Sequence, residues 1–133
     1  SYMARLGITL EEAEQTPVAL DNLSYTSYML RVAFEEGAGE VAAAILSCAL
    51  SYEYIAKEIL RTNPDAEQHP FYGEWVQGYA APEYAEANRI LVELTNRLTA
   101  EYSTRQLQHL IEIFVNCSRY ELAFWDMAWQ VKK

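Results

Sequence analysis

Apolar positions recur at helical spacing along most of the chain, and two runs dominate. Val41, Ile45, Cys48, Ala49, Tyr52, Ile55, Ala56 and Ile59 predict one amphipathic helix that ends at Asn63-Pro64. Leu107, Leu110, Ile111, Phe114, Cys117, Ser118, Glu121, Phe124, Trp125 and Ala128 predict another, capped by Ser103 or Thr104. Arg105, Gln108, Glu112 and Arg119 fall mostly on its other faces. Between them, His69-Pro70 opens a short aromatic segment that ends near Gly78 and Tyr79. Pro82 then starts a helix whose expected buried side is Ala87, Ile90, Leu91, Leu94 and Leu98.

Toward the start, Thr9 and Glu12 have the spacing of a capping box and Pro17 breaks the turn they open. The polar entry Asp21, Asn22 and Ser24 leads into a helix to about Glu36, and Gly37 and Gly39 separate it from the long helix of Cys48. Residues 1–6 read as the last turn of a helix closed by Gly7, which creates the expectation that something precedes them. Strand alternation, internal repeats and low-complexity linkers are absent from this pattern. The expected architecture is all-α, a compact bundle of about five helices in one domain over residues 1–133.

A chain of 133 residues is long enough to bury a core without disulfide staples. Half of it is apolar, and its ten tyrosines and three tryptophans follow the helical pattern, as in an ordered globular protein. The net charge of -9 and the lack of any Lys/Arg cluster argue against nucleic acid as a partner. No apolar run is long enough to span a bilayer and no secretory leader is evident, so the expectation is a soluble protein without a membrane partner. Cys48 and Cys117 lie in apolar patterns outside any CxxC array, which suits a reducing cytoplasm.

Glu121 is the charged exception in an apolar row. Such a carboxylate is costly to keep ionised, and that environment suits a general acid; a backbone or tyrosine partner would instead make it a structural tie between helices. Cys48 and Tyr52, four residues apart, project to one side of their helix and could line a pocket. A thiol needs a cation, a helix N-terminus or a base to become a nucleophile, and mid-helix Cys48 has none visible in sequence, so a core role competes. Cys117 reads as core. His69 and His109 are far apart and lack ligands at metal spacing; a metal site has no support, and His69 reads as a helix cap. Tyr120, Phe124, Trp125, Met127 and Trp129 could stack on a flat ligand or simply pack.

Four segments together resemble the TenA (thiaminase II) family: Ser24-Tyr25-Thr26-Ser27-Tyr28-Met29, the Cys48 to Tyr52 pair, His69-Pro70 through Trp75 to Tyr79, and Ser118-Arg119-Tyr120-Glu121-Leu122-Ala123-Phe124-Trp125-Asp126-Met127-Ala128. The resemblance runs from about Arg5 to Trp129. It implies part of a heme-oxygenase-like helical bundle without heme, needing no cofactor. It also implies hydrolysis that releases hydroxymethyl aminopyrimidine from thiamine or from aminopyrimidine breakdown products. By that resemblance Cys48 attacks the carbon joining the pyrimidine to its leaving group, and Glu121 shuttles protons to the leaving group and from water. Tyr25, Tyr52 and Tyr79 match substrate-binding positions. A cytoplasmic homo-oligomer is implied, commonly a tetramer, with a small-molecule aminopyrimidine or thiamine as partner.

Family chains are longer. The region before the match, with the aspartate that binds the pyrimidine and activates the cysteine, has no counterpart here. Ala49 replaces an aromatic after the cysteine, and Trp129 stands where tyrosine is common. Two readings remain open: an enzyme of the thiaminase II type, and a truncated non-catalytic remnant that self-associates or binds pyrimidines.

Overall fold

The computed structural model describes residues 2–130 and is built of helices. Two short helices, α1 (Tyr2–Leu6) and α2 (Leu10–Gln15), precede α3 (Leu20–Glu35) and α4 (Ala38–Thr62). A 3-10 turn (Pro64–Gln68) leads to α5 (Gly73–Ala80), α6 (Pro82–Leu98) and α7 (Thr104–Gln130). The last five α-helices are the bundle that the periodicity predicts. No strand occurs among the described residues.

Local chemistry sets most boundaries. Gly7 has φ +67, its N–H donates to Ala4, and the Ile8 N–H reaches back to Met3 at 3.0 Å, a Schellman closure of α1. The Thr9–Glu12 capping box forms as expected. At the other end of the chain, Ser103 and Gln106 exchange the same reciprocal bonds before α7. His69 Nδ1 accepts the N–H groups of Phe71 and Tyr72, so it caps the turn into α5. One start is misjudged from sequence: α3 begins at Leu20, ahead of its polar entry, and its N-cap Ala19 makes no side-chain bond.

The core lies where α3, α4 and α7 meet. Val32, Ala43, Ala44, Leu110, Ile113 and Cys117 are buried there beside Tyr25. Burying a branched side chain such as Ile113 or Val32 contributes about 1.5–3 kcal/mol, while the small run Ala42 to Ala44 lets neighbouring helices approach closely. Gly39 works the same way, since a Cβ there would meet the Tyr102 hydroxyl at 2.8 Å. That hydroxyl donates to the buried Glu40, which sits in the first turn of α4, where the helix dipole favours a negative charge.

Two expected stripes are corrected. On α6, Ala87, Ile90, Leu94 and Leu98 face outward, Ile90 at 52% exposure, and only Leu91 of that set is half-buried. The buried positions are Asn88 and Thr95, because α4 packs on the flank beside the apolar row, which also carries half-buried Tyr84, Leu91 and Val92. On α7, Leu107, Ile111 and Ala128 are exposed, and the contact line is Leu110, Ile113, Cys117 and Glu121. Ile113, nearly inaccessible, lies outside the stripe read from sequence. No helix among the described residues is long and apolar enough to cross a membrane.

Candidate active site

Three helices bring the sequence-predicted residues together. Tyr25 comes from α3, Cys48 and Tyr52 from successive turns of α4, and Glu121 from α7. Glu121 is 6% exposed, and its carboxylate acts on the other three side chains. Tyr79, on α5, joins through its ring, 5.0 Å from that of Tyr52.

The Cys48 thiol is half-buried and its pKa is pushed up to about 12, first by burial and then by the nearby charge of Glu121. A low-pKa thiolate is therefore not the resting state. The paired geometry instead suits transfer of the thiol proton to the neighbouring carboxylate as sulfur attacks. Cys117 is fully buried and likewise raised, to about 11, by burial first and Glu121 second. It belongs to the core.

Burial and then Glu121 also raise the Tyr25 and Tyr52 phenols above their ordinary range. The buried Tyr25 hydroxyl lies near enough to Glu121 to feel its charge but has no formed hydrogen bond. Its ring stacks on Tyr120 at 5.6 Å and 10°. Trp125 follows Glu121 by one turn, and its buried Nε1–H also lacks an acceptor. Buried orphan donors cost about 1–3 kcal/mol each, and the one on Tyr25, near the Glu121 carboxylate, marks a place that a polar ligand could satisfy.

Aromatic rings wall this cluster. Tyr52 contacts Trp75, Tyr79 and Trp125 at 5.0–5.9 Å, and Trp75 meets Tyr79 at 4.8 Å. Such a tilted group has faces and edges suited to a flat heteroaromatic ring. Trp75 and Trp125 also border an apolar groove of about 600 Å³ that extends past Ile55 and Ile59. Neither Cys48 nor Glu121 lines that groove.

Sequence reasoning missed the supports. The Ser47 and Ser118 hydroxyls meet at 3.0 Å across α4 and α7, beside Cys48. From α6, the Tyr84 hydroxyl and Asn88 Nδ2 both donate to the Ala49 carbonyl. The one available signal is that Tyr84 and Asn88 are four residues apart, on a flank outside the apolar row of Ala87, Ile90, Leu91, Leu94 and Leu98. No group of His, Cys, Asp and Glu suited to a metal occurs among the described residues. His109 pairs with Glu36, away from the cluster.

The profile of the TENA/THI-4/PQQC family matches residues 1–131. The chain is 42% identical over 129 residues to an aminopyrimidine aminohydrolase of Helicobacter pylori, a match covering 97% of this chain and 59% of the relative. A second aminopyrimidine aminohydrolase, from Halalkalibacterium halodurans, is 40% identical over 129 residues, covering 97% and 57%. Among solved structures, the TenA homologue protein from P. horikoshii OT3 superposes with a TM-score of 0.82 at 33% identity, covering 97% of this chain and 58% of that one. The chain thus spans a little under three-fifths of the length of each of these relatives.

Proposed function

The chain belongs to the TENA/THI-4/PQQC family, and on that premise we propose that it carries the nucleophile and proton shuttle of an aminopyrimidine hydrolase of thiamine salvage. The observation that carries this reading is the pairing of Cys48 with the buried carboxylate of Glu121, inside a wall of aromatic rings. The name of the two bacterial relatives, aminopyrimidine aminohydrolase, supports an aminopyrimidine as the substrate class.

For an aminomethyl pyrimidine, Cys48 Sγ bonds to the methylene carbon while its proton passes to Glu121. The carbon–nitrogen bond breaks, and the departing amine takes the proton from Glu121. Glu121 then removes a proton from water as the water oxygen attacks the same carbon and expels the Cys48 thiolate, which recovers that proton. The products are hydroxymethyl aminopyrimidine and ammonia. Tyr52 and Tyr79 stack on the pyrimidine and Tyr25 offers its free hydroxyl. Thiamine fits the same chemistry with the thiazole as leaving group. No step calls on a cofactor, and two unpaired cysteines suit the cytoplasm.

Incubation with an aminomethyl aminopyrimidine or with thiamine, followed by mass spectrometry, tests the reading. Hydroxymethyl aminopyrimidine should form, and both Cys48→Ser and Glu121→Gln should slow it by at least about 100-fold. No product with excess protein, or equal turnover by Cys48→Ser, defeats the catalytic role.

Exposed Phe34 (87%), Leu30 (57%) and Ile90 (52%) favour a second reading, a self-associating pyrimidine binder without turnover. Self-association also accords with the catalytic reading. A monodisperse monomer in sedimentation, with no pyrimidine binding by calorimetry, counts against the second.

A further inference from the structure

Helix α6 turns a mixed flank inward, buried Asn88 and Thr95 with half-buried Tyr84, Leu91 and Val92, while Glu86, Arg89, Glu93 and Arg97 face solvent. Ile90, Leu94 and Leu98 are exposed, whereas Asn88 is 4% exposed. Half-buried Leu91 and Val92 supply apolar contact on this flank, and a buried neutral hydrogen bond adds only about 1 kcal/mol net, so the polar pair on it matters more for geometry than for adhesion.

The inward side grips one turn of α4. The Tyr84 hydroxyl and Asn88 Nδ2 each donate to the Ala49 carbonyl at 3.1 Å. The other Nδ2 hydrogen of Asn88 goes to Glu53 Oε2 at 2.6 Å. Residues four apart on α6 therefore engage residues four apart on α4, which locks both the register and the rotation of the two helices. A mid-helix carbonyl is already served by the N–H four residues on, so Ala49 did not need this pair of donors. The Tyr84 ring also stands edge-on to Tyr79 at 5.0 Å and 85°.

Cys48 immediately precedes this grip, and Ser47, bonded to Ser118 on α7, immediately precedes Cys48. The thiol is thus the residue between two interhelical locks, one toward the helix of Glu121 and one toward α6. We propose that Tyr84 and Asn88 are positioning residues that set the placement of Cys48 Sγ against Glu121 through the Ala49 carbonyl, with Tyr84 also setting the tilt of Tyr79. The assignment to a reaction rests on the hydrolase reading; the placement of the thiol does not.

Tyr84→Phe and Asn88→Leu remove the donors while keeping side-chain bulk. Each should lower kcat by about 10- to 100-fold with KM within about twofold, because the lost donors act on the attacking atom while Tyr84→Phe keeps the ring against Tyr79. The double variant should fall little below the worse single one, since both act through one oxygen. Iodoacetamide alkylation of Cys48 supplies a readout independent of substrate. As the thiol leaves Glu121 and gains solvent, its rate at about pH 8 should rise several-fold. Variants that melt within a few degrees of wild type and keep either the wild-type kcat or the wild-type alkylation profile overturn the proposal. If the wild type itself hydrolyses nothing, the hydrolase reading fails, and the alkylation profile alone decides the positioning role.

Discussion

Ser47 and Ser118 share a hydrogen bond at 3.0 Å across α4 and α7, the contact that brings the Cys48 turn and the Glu121 turn into register. The two hydroxyls are unequal. Ser118 also donates to the Phe114 carbonyl, whereas Ser47, 1% exposed, has this one side-chain bond among those described. Ser47→Ala should therefore cost about 1 kcal/mol, and Ser118→Ala, which strands the Ser47 hydroxyl, about 1–3 kcal/mol. The double variant should cost less than the sum. Urea unfolding of the three proteins measures this, and equal single-variant costs would contradict the asymmetry.

The thiol of Cys48 should react slowly near neutrality. With its pKa pushed up to about 12 by burial and then by Glu121, the alkylation rate should climb about tenfold per pH unit from pH 7 to beyond pH 10. Glu121→Gln removes the negative charge but not the burial. It should speed alkylation at about pH 8 while leaving the thiol less reactive than a solvent-exposed cysteine. Mass spectrometry of iodoacetamide adducts follows the reaction, and a plateau already reached at neutral pH would show that a group other than Glu121 stabilises the thiolate.

The long helices were legible because α4 and α7 carry sustained apolar spacing and clear boundary signals, Asn63-Pro64 for the end of α4 and Ser103 or Thr104 for the entry to α7. Periodicity marked Cys48 and Glu121 as polar groups on apolar stripes, and the structure brings them together with Tyr25, Tyr52 and Tyr79. What sequence could not reveal was α6. Its apolar positions are the more hydrophobic, so the pattern assigns them inward. The actual rotation is set by Tyr84 and Asn88 bonding to a backbone carbonyl, and backbone acceptors leave no trace in a hydrophobic pattern. Ile113 was missed for a related reason: α3 and α4 share α7, and their joint contact line lies one position round from the most continuous apolar row.

His109 makes a pH-dependent tie between helix ends. Its Nε2 lies 2.8 Å from Glu36 Oε2, at the end of α3, and its Nδ1 is 3.7 Å from Glu112. Glu36 chiefly, then Glu112, raise the imidazole above its ordinary value of 6.5, with burial opposing. A raised folded pKa means that the stabilisation is full below the unfolded value and fades as pH rises through the folded one. The ring is 43% exposed, so solvent screening holds the effect below about 1 kcal/mol. His109→Gln should abolish the difference in urea midpoint between about pH 5.5 and 8.5 that this residue contributes. A difference of unchanged size would assign it to other groups.

Two glycines of α5 should respond to alanine with opposite sign. At Gly73, the first residue of the helix, an added Cβ would lie 2.3 Å from the Glu67 carbonyl oxygen, a backbone atom fixed by the preceding 3-10 turn. Neither side can yield without moving α5 against that turn, and α5 carries Trp75 and Tyr79 into the aromatic wall. Gly73→Ala should therefore destabilise by about 1–3 kcal/mol, the usual range for overpacking, and, on the proposed hydrolase reading, should weaken aminopyrimidine binding as the rings shift. At Gly78 a Cβ meets nothing within 4 Å. Gly78→Ala exchanges a flexible residue for the best helix former and should stabilise by about 0.4–1 kcal/mol, leaving the wall in place. Thermal melts compare the two variants directly. Destabilisation by Gly78→Ala would mean that its surface is occupied in solution, whereas a neutral Gly73→Ala would mean that the turn before α5 is free to shift.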